Sequence, residues 1–357
     1  MNLPELIVII ASLISVALVW LSPRGYGQDL VACVSLLAVA LISPLSALWL
    51  LSTILGSSLL MRYCHTNRAI AAGIWCLILG AMLLLLREYS TVASWPILWI
   101  GASYFTLRQV HVIMDWWLLS TPAPTVKTLM RYNLLAPLVL AGPIHRLPNF
   151  EREIARRYWN EVQFYSGLER ALFGAVLAFV IGEFAYTQVI HKLGQWQIET
   201  YFLGQLLKST IDWVFLYIIF SGLTDLALGL AAMMGLKLEE NFRKPYLACD
   251  LIDFWNCWHI SLSHWCRDYV YKPITAWSRS PVIGVLLAML VLGLWHESSL
   301  YYVIWACWQA LGIIFTHRFI RPLNVSKTGP LLLVRLGSLL WLVSANPILS
   351  NALALLQ

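Results

Sequence analysis

Charge is in short supply in this 357-residue chain. Only 12% of its residues are Asp, Glu, Lys or Arg, against 60% hydrophobic and 13% aromatic, and the mean hydropathy is +0.72. A soluble domain carries about a quarter charged residues, so this chain lacks the supply to clothe a water-facing surface of its size. The same arithmetic excludes intrinsic disorder, collagen and coiled coil. A disulfide scaffold is excluded too. The seven cysteines (Cys33, Cys64, Cys76, Cys249, Cys257, Cys266, Cys307) form no CxxC and no regular spacing, and most lie in apolar runs. An odd, irregular set of this kind reads as buried thiols. Also missing are a basic n-region at residues 1–5 and a small-x-small cleavage site after the first apolar run, so that run is expected as a retained span.

What the chain has in abundance is apolar runs of membrane length. About 20 apolar residues cross a hydrocarbon core of about 30 Å. Residues 6–21, 69–86, 92–119, 171–190, 211–236, 282–294, 300–315 and 330–355 qualify or nearly so. Residues 30–61 are too long for one span and break at Ser43-Pro44, which predicts two segments or one sharp bend. The last run is interrupted in sequence at Asn346-Pro347. Residues 133–144 are apolar but short and punctuated by Pro and Gly. They read as a re-entrant or half-buried segment packed inside protein, because irregular backbone cannot face lipid. The count is about ten transmembrane or re-entrant helices, with no inverted repeat of the transporter kind.

The formal charge of +6 comes from 24 Lys and Arg against 18 Asp and Glu. The basic stretches 62–68, 120–131, 145–157, 237–244 and 267–279 fit on one side, which the positive-inside rule assigns to the cytoplasm. No nucleic-acid partner is needed to explain them. The side of the N-terminus stays open because of the break at Pro44.

Ionisable groups at membrane depth are functional candidates by default. The densest stretch runs from Asp253 to Pro273. On one helix at about 100° per residue, Trp258, Leu262, Trp265 and Tyr269 fall within about 60° of one another. Asn256, His259, Ser263 and Arg267 make a polar strip beside them. This pattern fits an interfacial anchor helix as well as a helix dipping into a polar cavity. His296 closes a strongly apolar run and, taken alone, reads as a core histidine bonded to a carbonyl. His259 stands 37 residues before it, and each follows a tryptophan. A desolvated pair of imidazoles suits general acid–base chemistry. Without a nearby carboxylate set the pair is a weak metal site.

Several motifs now carry a family resemblance. Asn241-Phe242, Pro245-Tyr246-Leu247, Phe254-Trp255, Trp258 to Ser263 and Arg267 to Tyr271 are followed by Gly293-Leu294-Trp295-His296. Earlier pieces are residues 101–105 with Asp115, residues 141–144, and residues 221–229 with Asp225. Together, over about residues 95–320, they resemble the membrane-bound O-acyltransferase family. The bacterial branch, with its alginate O-acetylases and teichoic acid D-alanyl transferases, is the most similar. Departures are Asn256 and Cys257, where two basic residues often stand, and Glu297, where Gly is common. Both histidines are in place. The length is nearer that of the D-alanyl transferases.

The resemblance implies an all-α, polytopic fold around a central polar tunnel. It divides as N-terminal helices over 1–91, a catalytic core over 92–320 and a C-terminal segment over 321–357. It implies transfer of an acyl group, acetyl first, from a cytoplasmic thioester (acyl-CoA or an acyl-carrier protein) to a hydroxyl of an extracytoplasmic polysaccharide. His296 would be the general base, with His259 assisting. Trp295, Asn256, Ser263, Arg267 and Asp225 are tentative substrate or tunnel residues, and Trp295 or Asn256 would steady the oxyanion. For Asp225 and Arg267 a structural ion pair is an equal alternative. No bound cofactor or metal is expected. Expected partners are the acyl donor, the acceptor, membrane lipid and an extracytoplasmic acyltransferase, at the plasma (inner) membrane. D-alanyl or lipid acyl transfer by the same fold stays open. So do a transporter or flippase using Asp115, Glu183, Asp225 and the histidines, and a scaffold docking through 145–163 and 237–279.

Overall fold

The computed structural model describes residues 3–23, 25–92, 101–118, 121–139, 141–195, 201–323 and 331–354. All regular structure among them is helical. The principal helices are α1 (Leu3–Leu21), α2 (Gly27–Ile42), α3 (Pro44–Tyr63), α4 (Arg68–Val92), α5 (Ala102–Leu118), α6 (Val126–Asn133) and α7 (Leu147–Arg156). They continue as α8 (Glu161–Gln195), α9 (Phe202–Met233), α10 (Leu251–Cys257), α11 (Ile260–Cys266), α12 (Lys272–Ser278), α13 (Pro281–His296), α14 (Leu300–Phe315) and α15 (Leu331–Ala354).

Seven helical stretches among the described residues are long and apolar enough to cross a membrane, and α2 and α13 are shorter apolar helices. The chain is a multi-pass membrane protein. Its expected span over 92–119 falls partly outside the described residues; the remainder is α5.

Local chemistry explains the breaks. Pro44 has no N–H to give and suits the first helical position, while Ser43 accepts from the Ser46 N–H at 3.2 Å. The 30–61 run is therefore two helices, α2 and α3. Beyond α6 the chain makes one 3-10 turn at Ala136–Leu138 and then runs irregularly. Leu134, Leu135, Leu138, Val139 and Ile144 there are at most 1% exposed, as expected of irregular backbone kept off lipid. The Asn346-Pro347 interruption is not realised as a break, since α15 runs through Pro347. Apolar helices tolerate proline where neighbouring groups take up the freed carbonyl. All seven cysteines are free; Cys257 and Cys266 are buried, whereas Cys33 and Cys307 are exposed on apolar helices.

The residues divide into two compact units. The first comprises residues 1–175 with 222–239, and the second residues 176–221 with 240–357. In the first, α8 and α9 pack through glycines: a Cβ on Gly174 would stand 2.4 Å from the Leu226 nitrogen, and one on Gly229 2.5 Å from that of Ala171. α8 passes from the first unit to the second through a π-helical stretch, Val176–Phe184. In the second, α14 and α15 meet at Trp308 and Trp341, whose rings stack at 4.2 Å.

Candidate active site

The polar stretch 253–273 is not one helix. It breaks at Trp258-His259, where α10 ends and α11 begins, and α11 leads through a π-turn (Arg267–Tyr271) into α12. The aromatic stripe expected on a single helix is therefore divided. Trp258 stacks on Phe254 at 5.5 Å, while Trp265 packs on Tyr269 at 5.5 Å. The break is made at His259, whose backbone is left-handed with φ 42° and ψ 54°. A non-glycine residue stays in that region only where its surroundings hold it.

Asn241 does the holding. Its main-chain oxygen accepts from the Ile260 N–H at 2.9 Å. Its side-chain Oδ1 accepts from the Ser261 hydroxyl at 2.9 Å and the Ser261 N–H at 3.3 Å, and lies 3.1 Å from His259 Nδ1. A backbone N–H can only donate, so the atom facing Ser261 is the amide oxygen. The His259 Nδ1 must then carry a proton, which leaves the lone pair on Nε2. The ring is 4% exposed, between Phe220 at 4.9 Å and Trp295 at 6.0 Å. His259 lies outside the candidate spans; burial first, then the nearby His296, pushes its pKa down to about 3, so it is neutral at neutral pH.

His296 reaches the same place from the end of α13. Gly293 lets α13 close on α14, since a Cβ there would stand 2.7 Å from the Tyr302 carbonyl oxygen. One turn later His296 stacks on Tyr302 at 5.6 Å and meets Trp295 at 5.0 Å and Trp305 at 5.9 Å edge to face. Unlike His259, it is exposed. Both imidazoles line a cavity of about 630 Å³ that lies wholly in the second unit. Ten of its sixteen lining residues are Phe, Tyr or Trp, so its walls are apolar rings that admit few competing polar groups.

Trp295, His259 and His296 are the sequence-expected residues that the cavity brings together. Asn256 is exposed and off its wall. The Ser263 hydroxyl donates to the Trp258 carbonyl at 3.1 Å, and Arg267 pairs with Asp268 at 3.1 Å; neither lines the cavity. Asp225 belongs to the first unit, where Arg170 holds it at 2.6 Å. Asp115 is likewise in the first unit, 3.3 Å from His111.

Sequence reasoning missed a second polar group on the cavity wall. Tyr186 donates to Asp212 at 3.0 Å and Lys208 pairs with Asp212 at 2.8 Å, while Tyr301 donates to Asn346 at 2.5 Å. Nothing in their spacing marks them, because they come from α8, α9, α14 and α15. Asn241 was within reach, as the first residue of a quoted motif. Among the described residues no cluster of three or more His, Cys, Asp or Glu side chains is arranged to hold a metal ion.

Residues 122–329, more than half of the chain, match the model of the membrane-bound O-acyltransferase family. The chain belongs to that family. It is 32% identical over 228 residues to the teichoic acid D-alanyltransferase of Bacillus subtilis, covering 59% of this chain and 57% of that protein. It is 31% identical over 240 residues to a probable alginate O-acetylase of Pseudomonas aeruginosa, covering 63% and 45%. The peptidoglycan O-acetyltransferase of Helicobacter pylori is 26% identical over 250 residues, covering 61% and 47%. The match thus spans about half the length of these curated relatives. Both histidines and Asn241 fall inside the family segment.

Proposed function

We propose that the chain is an O-acyltransferase that moves an acyl group, acetyl first, from a thioester donor to a hydroxyl. The reading rests on one observation above others: His259 and His296 share one aromatic cavity, the first with its tautomer fixed by Asn241 and the second exposed within it. In the reaction the acceptor oxygen attacks the thioester carbonyl carbon while His296 takes the hydroxyl proton. The carbon–sulfur bond then breaks and the thiolate leaves, to be protonated by the imidazolium or by water. His296 ends α13, and a helix C-terminus favours the positive charge the ring acquires. His259, neutral with its proton on Nδ1, assists by accepting at Nε2 a hydrogen bond from a second hydroxyl of the acceptor, which orients the attacking one. Trp295 flanks both imidazoles and helps to shape the wall against which the acyl group rests.

The donor in this proposal is acyl-CoA or an acyl-carrier protein, delivered from the cytoplasmic face of the plasma membrane. The acceptor is an extracytoplasmic cell-envelope polysaccharide, reached with the help of an extracytoplasmic acyltransferase partner. The names of the relatives favour such a polymer, because teichoic acid, alginate and peptidoglycan each appear among them. Against a transporter stands the placement of the carboxylates. Asp115 and Asp225 are each paired in the first unit, and neither is on the wall of the cavity that the histidines line.

The deciding experiment incubates the purified full chain with radiolabelled acetyl-CoA, acetyl-carrier protein and D-alanyl-carrier protein. Histidine-dependent thioester cleavage with one of them is the expected result. If no donor is cleaved, or if His296→Ala cleaves as well as the parent, the acyltransferase reading is lost.

A further inference from the structure

The cavity that holds the histidines carries polar groups that the proton transfer does not use. Asp212 of α9 and Asn346 of α15 both line it, and both are half-buried. Asn346 is held in place from two sides. Pro347 has no N–H to give, so the Val343 carbonyl one turn earlier in α15 loses its helical partner. The Ser209 hydroxyl of α9, in a residue 2% exposed, donates to that carbonyl at 2.6 Å. Asp212 and Asn346 each follow an end of this bond by three residues, about 4.5 Å along a helix axis. From the other side the Tyr301 hydroxyl donates to Asn346 Oδ1 at 2.5 Å.

That bond turns the amide so that Nδ2 is the atom left over. Nδ2 is accessible and has no hydrogen-bond partner among the described residues. Asp212 is occupied but not exhausted. Its Oδ1 accepts from Tyr186 at 3.0 Å and its Oδ2 pairs with Lys208 at 2.8 Å. A carboxylate has about four lone-pair sites, so each oxygen keeps one to offer. The Lys208 ammonium cancels the charge. Between and around these groups the wall is made of rings, with Tyr186 against Phe215 at 5.3 Å and Tyr301 against Tyr302 at 5.3 Å.

We infer that this wall is a saccharide subsite: one hydroxyl of the sugar donates to Asp212, another accepts from Asn346 Nδ2, and the C–H faces rest on the rings. The alternatives fit less of it. An aliphatic chain suits the rings but desolvates Nδ2 without answering it. A cation finds Asp212 already neutralised by Lys208, and an anion is repelled by the carboxylate. A neutral sugar has hydroxyls around its edge that both donate and accept. It also has C–H groups on its faces for the negative faces of aromatic rings. The inference deepens the acyltransferase reading and rests on it, since it makes Asp212 and Asn346 the residues that read the acceptor.

The test titrates the full chain in phosphatidylcholine nanodiscs by calorimetry, with no thioester present. The probes are methyl β-D-glucopyranoside, cellobiose and chitobiose, with cyclohexylmethanol as a ring bearing a single hydroxyl and pantetheine for the arm of the donor. At least one saccharide is expected to bind, and cyclohexylmethanol at least about tenfold more weakly. Asn346→Asp keeps the acceptor for Tyr301 and removes the donor, so it should weaken the saccharide by about tenfold. Asn346→Leu, with neither group, should show at least the same loss. Asn351→Leu, exposed on the same helix and off the wall, should bind as the parent does. Absence of saccharide binding, parental affinity in both Asn346 variants, or an equal loss in Asn351→Leu would each overturn the inference. Binding of pantetheine alone, weakened by Asn346→Asp, would overturn it too and give the wall to the donor. A cleaved donor without saccharide binding sinks this inference and leaves the acyltransferase reading standing. Saccharide binding with no donor cleaved does the reverse.

Discussion

Around the second-unit cavity, the side chains that carry hydrogen bonds are matched to one another inside a shell of rings. Tyr186 meets Asp212, Tyr301 meets Asn346, and Asn241 fixes His259. A cavity in the first unit is lined instead by charges of both signs, Arg152, Arg156 and Lys237 with Glu153 and Glu239. The contrast separates two uses of polar groups in an apolar chain. Proton transfer needs a few atoms in fixed tautomers and an environment with little competition. A wall of exposed charges needs neither, because water answers its groups.

The strongest way to break that contrast is at His296. His296→Ala should reduce acyl transfer by about 10²–10⁴-fold, the range expected of a general base, with unchanged membrane insertion and thermal stability. An unchanged turnover number would remove the base from the second-unit cavity. Asn241 comes next. Asn241→Leu deletes the acceptor of three hydrogen bonds, and turnover should fall by about 10–100-fold as the His259 tautomer is released. Asn241→Asp, which keeps an acceptor, should recover part of the loss. A merely structural role predicts instead that both variants lose activity only in proportion to folded protein.

Smaller effects test the residues that the cavity leaves out. Asp225→Asn should keep transfer at the parental rate and lower stability by about 1 kcal/mol or less, because its pair with Arg170 is partly exposed. A large loss of turnover in a folded Asp225→Asn protein would make it part of the reaction after all. The smallest effect belongs to Asn256→Ala. With its side chain exposed and off the wall, turnover and donor KM should both stay within about twofold, an order-of-magnitude expectation for a surface position. A raised donor KM would show that the outer face of α10 takes part in donor binding.

Much of the fold was legible because its causes are local. The apolar runs named most spans, Ser43-Pro44 divided α2 from α3, and the Pro and Gly of 133–144 forecast irregular backbone buried in protein. Asn346-Pro347 misled because helix continuity there is decided by neighbouring groups and not by the proline alone. The site was legible in part. Two histidines after tryptophans pointed to His259 and His296, yet the periodic reading of 253–273 assumed one helix. The left-handed turn at His259 cannot be seen in a periodicity, since its cause is Asn241, eighteen residues earlier.

The sequence by itself determined that this chain lives in a bilayer as a bundle of helices. Transfer from water is an additive property of side chains, and 60% hydrophobic residues leave no other solvent for it. Its motifs also determined the family. Only the tertiary structure decided which polar residues meet. It set His259 and His296 on one wall, recruited Asn241, Asp212 and Asn346 to the same unit, and left Asp225 with Arg170 in the other. Hydrogen bonds and ion pairs act over a few ångströms. Which groups lie within that range is decided by how the helices pack and not by their order along the chain.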